Sequence, residues 1–230
     1  MESLNQVLFG LYPYVAISIF LVGSLIRFDR EQYSWRSGSS QLLSRKLLLV
    51  GSNFFHIGIL AILAGHAVGL LTPPEIYHAL GLSTAAKQLV AMVAGGAAGT
   101  MCFVGMTMLL VRRLGEARIR ATSSAMDILI LLMLYAQLCL GLGSIFVSAQ
   151  HLDGHEMLKL AGWAQHLVTL QSDAAALMAD VHPIFELHIL LGLTIFLLFP
   201  FSRLVHIWSA PVSYVGRSYQ VVRRRGAARP

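Results

Sequence analysis

The chain has 230 residues, of which 56% are hydrophobic and only 12% are charged, and its formal net charge is +6. Soluble domains are roughly 45–50% apolar and 25% charged, so this composition is typical of a membrane protein. It excludes a second soluble domain, a disulfide framework and an extended disordered tail. In a membrane chain the positive charge marks one face of the bilayer, so we expect no nucleic-acid partner.

Five stretches are apolar and long enough to cross a bilayer, which takes about 20 residues. They cover residues 7–26, 47–71, 88–111, 128–147 and 187–208, and we name them spans 1 to 5. The sequence therefore predicts an all-α fold: an integral membrane bundle of five transmembrane helices in a single membrane domain, 1–230, with a basic tail at 209–230. We expect span 1 to be a permanent helix because no Lys or Arg precedes it, as one would in a signal peptide.

The charges assign a direction to the bundle. Fifteen of the seventeen Lys and Arg residues follow spans 1 and 3 or cluster at the end of span 5 and in the tail, whereas the other side carries only Lys87 and Lys159. The positive-inside rule then predicts a periplasmic N-terminus and a cytoplasmic C-terminus.

Cys102 and Cys139 fall inside spans 3 and 4 as small hydrophobic side chains, so no disulfide is expected. The segment 148–170 has helical amphipathic spacing and is predicted to lie flat on the outer membrane surface.

Four histidines lie inside the predicted spans. His56 and His66 belong to span 2, and His188 and His206 lie near the two ends of span 5. An ionisable group inside a bilayer is costly and indicates function by default. Because spans 2 and 5 run in opposite directions, the sequence predicts two pairs: His66 with His188 near the outer face, and His56 with His206 near the inner face.

Two facing imidazoles are what a six-coordinate b-type haem iron requires, since each supplies one axial nitrogen. Two such pairs predict two haem b groups and an electron path across the bilayer. A helical rise of about 1.5 Å per residue separates His56 from His66 by about 15 Å, and His188 from His206 by about 27 Å. Tilted helices and inclined haems would have to absorb this mismatch.

Other interpretations of these residues stay open at this stage. A single membrane histidine more often forms an interhelical hydrogen bond, as in a transporter or anchor with structural histidines. A metal transporter would be expected to place carboxylates beside the histidines, and spans 2 and 5 have no carboxylate between their histidines. The four histidines lie at two different depths in the membrane, which excludes a zinc site that uses all four as ligands. Gly58, Gly65 and Gly69 suit either the approach of a flat macrocycle or close helix packing, and the small residues at 95–99 indicate packing.

Several long motifs are similar to one known family. These motifs are SNFFHIGILAILAGH around His56 and His66, GLLTP after them, SAQHLDGHEMLKLAGWAQ in the outer loop and LFPFSRLVHIWSAP around His206. They closely resemble the gamma subunit of membrane-bound respiratory nitrate reductases. The resemblance runs from Tyr12 into the C-terminal tail and is loosest between Gln171 and His182.

The resemblance implies a di-haem cytochrome b in the bacterial cytoplasmic (inner) membrane. It implies oxidation of membrane quinol near the periplasmic face, and electron transfer to an iron–sulfur beta subunit and then to a molybdenum-containing alpha subunit that reduces nitrate. The residues that match the family's haem ligands are His66 and His188 for the outer haem, and His56 and His206 for the inner haem. The alternative is a cytochrome b subunit of another quinone-linked complex, of the hydrogenase or formate dehydrogenase type.

The family's quinol site lies beside the outer haem, where the matching residues are His66, Lys87, Gly65 and Gly69. An axial imidazole keeps an N–H on its other nitrogen. We therefore expect His66 to direct that proton to a quinone oxygen and Lys87 to bind the opposite oxygen. A lysine that snorkels to the lipid headgroups is the plain alternative for Lys87.

Electron transfer toward the cytoplasm works against the membrane potential, at about 2.3 kcal/mol per charge per 100 mV. The positive charge of Arg203 and of the basic cytoplasmic face favours the reduced state of a nearby haem. The sequence therefore predicts a higher reduction potential for the inner haem than for the outer haem. The cytoplasmic basic loops fix the topology, touch anionic lipid or dock an electron-accepting subunit. Trp208, Pro211 and Tyr214 suit an interfacial belt.

Overall fold

The computed structural model describes residues 2–31, 33, 35 and 46–209. Five helices in this part of the chain are long and apolar enough to cross a membrane: Ser3–Arg30, Leu47–Leu71, Thr84–Gly115, Ala125–Ser148 and Pro183–Phe201. They confirm the all-α bundle of five spans, and the described ranges contain no strand. Spans 1, 3 and 4 extend beyond both ends of their predicted ranges.

Span 1 begins with an irregular turn. Its pieces are the helix Glu2–Asn5, a π-helical turn Gln6–Leu11 and the helix Tyr12–Arg30. Pro13 has no N–H to give to the Phe9 carbonyl one turn earlier. The indole Nε1 of Trp163 donates to that carbonyl instead, at 2.9 Å. The irregular turn therefore ties the start of span 1 to the link between spans 4 and 5.

Span 5 is not the continuous helix predicted over 187–208. Its α-helix covers Pro183–Leu198, and two 3-10 segments follow, Phe199–Phe201 and Arg203–Ser209. Pro200 explains the end of the helix, because a proline inside a helix lacks an N–H and clashes with the carbonyl four residues earlier. His206 therefore lies on a 3-10 segment, so the α-helical rise used to estimate 27 Å between His188 and His206 does not apply after Leu198.

The five spans pack as neighbours in the order 2, 3, 4, 5, 1. Span 2 stands at one end of this arc and contacts span 3 along its length, while span 5 packs between spans 4 and 1. The side chains of His56 and His66 on span 2 are exposed, because they face an open slot toward span 5. The arc therefore places the four membrane histidines around one slot.

Glycines hold spans 2 and 3 together. A Cβ added at Gly105 would overlap the main-chain nitrogen of Phe55 and lie 2.7 Å from the Gly51 carbonyl oxygen. A Cβ added at Gly58 would lie 2.7 Å from the Cβ of Cys102. Small residues let membrane helices approach this closely. Gly58 thus serves helix packing and not the approach of a macrocycle.

Shorter helices connect the spans. They are Pro74–Ala79 between spans 2 and 3, Ala117–Ala121 between spans 3 and 4, and His155–Val168 with the 3-10 turn Ala174–Met178 between spans 4 and 5. Both cysteines are free, as expected. Two of the basic residues that follow span 1, Arg36 and Arg45, lie outside the described residues, as do Pro211, Tyr214 and the predicted basic tail from residue 210 onward.

The helix His155–Val168, which we call the link helix, turns its apolar face toward the protein. Trp163 and Leu167 are buried in a core with Phe9 and Phe185 of spans 1 and 5. Gln165 also donates to a main-chain carbonyl at the end of span 2. The bundle thus covers part of the apolar face of this helix, while Leu158 and Val168 of the same helix are exposed. Its expected position flat on the membrane surface stays a prediction.

Alanine at Gly105 should push spans 2 and 3 apart, because the added methyl group meets main-chain atoms that cannot rotate away. Overpacking of this kind costs about 1–3 kcal/mol, which we expect as a lower midpoint in SDS-induced unfolding followed by circular dichroism. Gly95→Ala in the same span is the matched control, because nothing lies within 4 Å of its added Cβ. Equal midpoints for the two variants would contradict the glycine contact.

Candidate functional site

The structure brings the four membrane histidines together in two pairs. The ring centroids of His66 and His188 are 6.1 Å apart, with 29° between the ring planes. Those of His56 and His206 are 6.3 Å apart, with 75° between the planes. These are the pairs expected from the opposite directions of spans 2 and 5.

The spacing of each pair suits one metal ion between the rings. A metal–imidazole bond is about 2 Å long and the ring centre lies about 1 Å farther out, so rings on opposite sides of one ion have centroids about 6 Å apart. Two axial nitrogens leave the other four positions of a six-coordinate iron to a porphyrin. The donor set and its spacing therefore fit a haem at each pair.

The Nδ1 atom of each of these histidines faces a main-chain carbonyl. The acceptors are the carbonyls of Ser52 for His56 (2.7 Å), Ile62 for His66 (2.9 Å), Gln137 for His188 (3.1 Å) and Arg203 for His206 (2.7 Å). A carbonyl only accepts hydrogen bonds, so Nδ1 carries the proton and Nε2 keeps its lone pair. This is the tautomer in which a neutral imidazole binds a metal through Nε2 while a second contact fixes its ring.

The same contact changes what is expected of His66. Its Nδ1 proton goes to the Ile62 carbonyl four residues earlier, so it does not point to a quinone oxygen in this structure. The ring and the neighbouring Gly65 are exposed, and Gly69 is half-buried. Nothing lies within 4 Å of a Cβ added at Gly65 or Gly69. This surface of span 2 is bare and open to a flat ligand.

Two residues of span 4 position His188, and neither was predicted from the sequence. Gln137 accepts from Nδ1 of His188 through its carbonyl, and its side-chain amide nitrogen lies 3.2 Å from Nε2. The imidazole ring packs on Gly141, where an added Cβ would lie 3.0 Å from Cε1. These contacts depend on which faces of spans 4 and 5 meet, and one sequence carries no signal for that.

Arg203 lies on the same 3-10 segment as His206 and pairs with Asp127, whose Oδ1 is 3.6 Å from its Nε. Burial lowers the pKa of Arg203, while the Asp127 carboxylate raises it and Arg113 lowers it further. The guanidinium stays charged because its ordinary pKa is far above neutral. Asp127 therefore offsets part of the positive charge expected near His206.

Lys87 lies at the other end of the bundle, where spans 2 and 3 are linked. Its Nζ donates to the Thr72 carbonyl at 3.3 Å and lies 4.1 Å from the ring centre of Tyr77. Together with residues of the link helix, Lys87 lines a cavity of about 50 Å³. The side chain is half-buried and thus held in place, but no hydrogen bond or ion pair between described residues joins it to His66.

A second cavity, of about 330 Å³, opens beside the irregular start of span 1. Its lining consists of Gln6, Gly10, Tyr14, Leu167, Leu170, Gln171, Ser172 and Ala174. No predicted site residue belongs to this lining. The cavity therefore adds nothing to the assignment of the quinol residues.

Comparisons with known proteins agree over nearly the full length of the chain. The family described as nitrate reductase gamma subunit matches residues 5–225. The chain is 53% identical to the respiratory nitrate reductase 1 gamma chain of Escherichia coli (strain K12), a match that covers 98% of this chain and 100% of the relative. It is 50% identical to the respiratory nitrate reductase 2 gamma chain of the same organism, over 97% and 99% of the two chains.

A more distant relative gives the same result. The nitrate reductase gamma chain of Bacillus subtilis (strain 168) is 38% identical, over 96% of this chain and 99% of the relative. These matches, like the five membrane spans, extend along the whole bundle and not only around the histidines. The chain belongs to the nitrate reductase gamma subunit family, and is thus a membrane component of an oxidoreductase complex in the electron transport of nitrate respiration.

Proposed function

We propose that this chain is the di-haem cytochrome b subunit that takes electrons from membrane quinol for a respiratory nitrate reductase. It binds one haem b between His66 and His188 and another between His56 and His206. Quinol is oxidised beside the first pair, near the periplasmic face. Electrons leave beside the second pair, toward an iron–sulfur beta subunit and a molybdenum-containing alpha subunit on the cytoplasmic side.

The geometry of the two histidine pairs carries this proposal. Both pairs have the centroid spacing of rings on opposite sides of one ion, 6.1 and 6.3 Å. All four Nδ1 atoms face carbonyls, which puts the proton on Nδ1 and the lone pair on Nε2 of each ring. At His188 the side-chain amide of Gln137 donates to this lone pair, and iron would displace the amide. Histidines that only join helices would have no need of this shared tautomer. The pattern thus favours haem binding over a transporter or an anchor with structural histidines.

When bound, the haems supply one-electron redox chemistry at the two ends of the slot. The four imidazoles would hold the two haems, one at the depth of His66 and His188 and one at the depth of His56 and His206. Oxidation of quinol to quinone releases two electrons and two protons. We assign the quinol ring to the bare surface at Gly65 and Gly69 beside His66. The Lys87 ammonium then favours the deprotonated quinol oxygen by its charge, and the protons leave at this end of the bundle.

The distribution of charge supports the proposed orientation. The described chain has Arg27, Arg30, Lys46, Arg112, Arg113, Arg118, Arg120 and Arg203 at one end of the bundle, against Lys87 and Lys159 at the other end. The positive-inside rule assigns the arginine-rich end to the cytoplasm of a bacterium and the N-terminus to the periplasm. The quinol residues then lie near the periplasmic face of the cytoplasmic membrane.

The partner subunits are assigned to the arginine-rich end. Ile207 and Trp208, on the segment that carries His206, and Phe201 just before it are exposed there. Exposed apolar side chains among basic residues suit a protein partner that covers them. The relatives reported above are all named as nitrate reductase gamma chains, which favours nitrate reductase partners over those of a hydrogenase or a formate dehydrogenase.

Alanine at His66 should remove one b-type haem and quinol oxidation together, because the proposed quinol surface at Gly65 and Gly69 lies beside the haem that His66 would hold. Alanine at His56 should also remove one haem but leave quinol binding intact. Reduced-minus-oxidised spectra and pyridine haemochromes give the haem content per chain, and the fluorescence of a bound quinol analogue reports the quinol site. His155→Ala, on the exposed surface of the link helix, is the control. Two haems in both variants would overturn the ligand assignment.

Alanine at Lys87 should raise the KM for quinol about 10-fold, which corresponds to about 1.4 kcal/mol of lost binding. Haem spectra should not change, because Lys87 contacts no histidine pair. Lys159→Ala is the matched control, since Lys159 lies at the same end of the bundle and contacts its helix neighbour Glu156 at 3.9 Å and the Asp180 carbonyl, neither of which belongs to the proposed quinol site. An unchanged KM in Lys87→Ala would remove this residue from the quinol site.

The haem at His56 and His206 should have the higher reduction potential, because the arginine-rich end favours the added electron. The ion pair at Arg203 refines this prediction: Asp127→Asn removes the offsetting negative charge and should raise the potential of this haem alone. A redox titration of both haems in wild type and variant measures the two values. A higher potential at His66 and His188 in the wild type would refute the charge argument.

A further inference from the structure

We propose that Arg27 of span 1 is a positioning residue for His206, because it holds the irregular backbone on which this histidine lies. The sequence accounts for Arg27 only as one of the positive charges that orient the bundle. The structure gives it a specific task at the end of span 5. The proposal rests on the haem function proposed above, since its effect is on the ligand geometry of the pair His56 and His206.

The break in span 5 creates the need for such a residue. In a continuous α-helix the Pro200 carbonyl would accept the N–H of Leu204, four residues later. That N–H instead goes to Oγ of Ser202, at 3.2 Å. An unsatisfied carbonyl in a bilayer is costly, because no water can replace the missing donor. The Pro200 carbonyl thus needs a donor from elsewhere in the protein.

Arg27 supplies that donor. Its Nη1 donates to the carbonyls of Pro200 and Ser202, at 2.5 and 2.8 Å. The two acceptors lie on either side of the junction between the two 3-10 segments. A charged donor makes stronger hydrogen bonds than a neutral one. The guanidinium therefore fixes the turn that leads into the His206 segment.

Other residues on the same face of span 1 contact the same region. Phe20, Gly23 and Arg27 follow the spacing i, i+3, i+7 of a single helix face. The Phe20 ring centroid lies 5.4 Å from that of Trp208, two residues after His206. A Cβ added at Gly23 would lie 2.9 Å from Cγ of Pro200. Span 1 thus contacts the chain both before His206, at Pro200, and after it, at Trp208.

The position of the turn determines the position of the imidazole. Ser202, whose carbonyl Arg27 holds, directly precedes the segment Arg203–Ser209. Nδ1 of His206 donates to the Arg203 carbonyl at 2.7 Å, and Val205 is fully buried between them. The ring cannot keep its distance from His56 if the turn moves. Loss of the Arg27 hydrogen bonds therefore displaces Nε2 of His206.

The other three histidines do not depend on this contact. His56 and His66 lie within the helix Lys46–Leu71, and His188 lies within the helix Pro183–Leu198. Regular helical backbone carries each of these three residues, and their Nδ1 atoms face carbonyls of Ser52, Ile62 and Gln137, which are remote from the turn at Pro200. A defect at Arg27 should thus change the haem at His56 and His206 and spare the haem at His66 and His188. This selectivity separates a positioning role from a general effect on folding.

The test compares Arg27→Gln, Arg27→Lys and the control Arg30→Gln in the full chain, expressed in membranes with its partner subunits. Arg30 carries the same charge three residues later and its side chain is exposed. Arg27→Lys keeps the charge but loses the planar guanidinium and its reach. Low-temperature EPR resolves each low-spin haem by a signal that depends on the angle between its two imidazole planes. Haem content per chain is the second measurement.

We expect both Arg27 variants to shift or lose the EPR signal of the haem at His56 and His206. Contacts that orient a ligand are worth about 10- to 100-fold in metal affinity, and we expect a loss of that size in Arg27→Gln. The other haem signal and both signals of Arg30→Gln should match the wild type. A chain without either haem in the wild type would refute the proposed function and not this inference alone.

Three results would overturn the positioning role. An Arg27→Gln protein with the same signals as Arg30→Gln would show that the contact is dispensable. Equal loss of both haems would show a general role in folding. Wild-type signals in Arg27→Lys together with altered signals in Arg27→Gln would show that only the charge matters.

Discussion

A polar main-chain group inside a bilayer must find its partner within the protein, and the candidate site depends on this constraint. Carbonyls of regular helix hold the rings of His56 and His66, and another carbonyl across the helix interface holds His188. The backbone thus selects the tautomer of each ring. Where a proline interrupts the backbone, as at Pro200, the same constraint brings in a side chain from span 1.

All five spans together determine the geometry of the two pairs, since span 5 carries His188 and leads into the segment of His206. Span 2 carries His56 and His66, but the glycine contacts with span 3 determine where span 2 stands. Gln137 and Gly141 of span 4 orient His188. Span 1 contacts the segment that carries His206. The slot is therefore a property of the whole arc, and a change in any of its helices moves one ring of a pair relative to the other.

The sequence predicted the spans and the two pairs because apolar length and alternating direction are local properties. It did not predict the end of the α-helix at Leu198, although Pro200 is the signal, because hydropathy alone extends span 5 to residue 208. Amphipathic spacing predicted the link helix but not the surface that its apolar face covers. The roles of Gln137, Gly141 and Arg27 depend on which helix faces meet, and one sequence does not contain that information.

The irregular start of span 1 has a consequence for biogenesis. The contacts of span 1 lie far along the chain: Tyr12 and Thr194 share a hydrogen bond of 2.8 Å across 182 residues, and the Phe9 carbonyl meets Trp163 across 154 residues. Contacts of such long sequence separation form late. Span 1 is synthesised first, yet it remains in the lipid without its neighbours until span 5 has been inserted. The contact between spans 1 and 5 is therefore the last contact of the bundle to form.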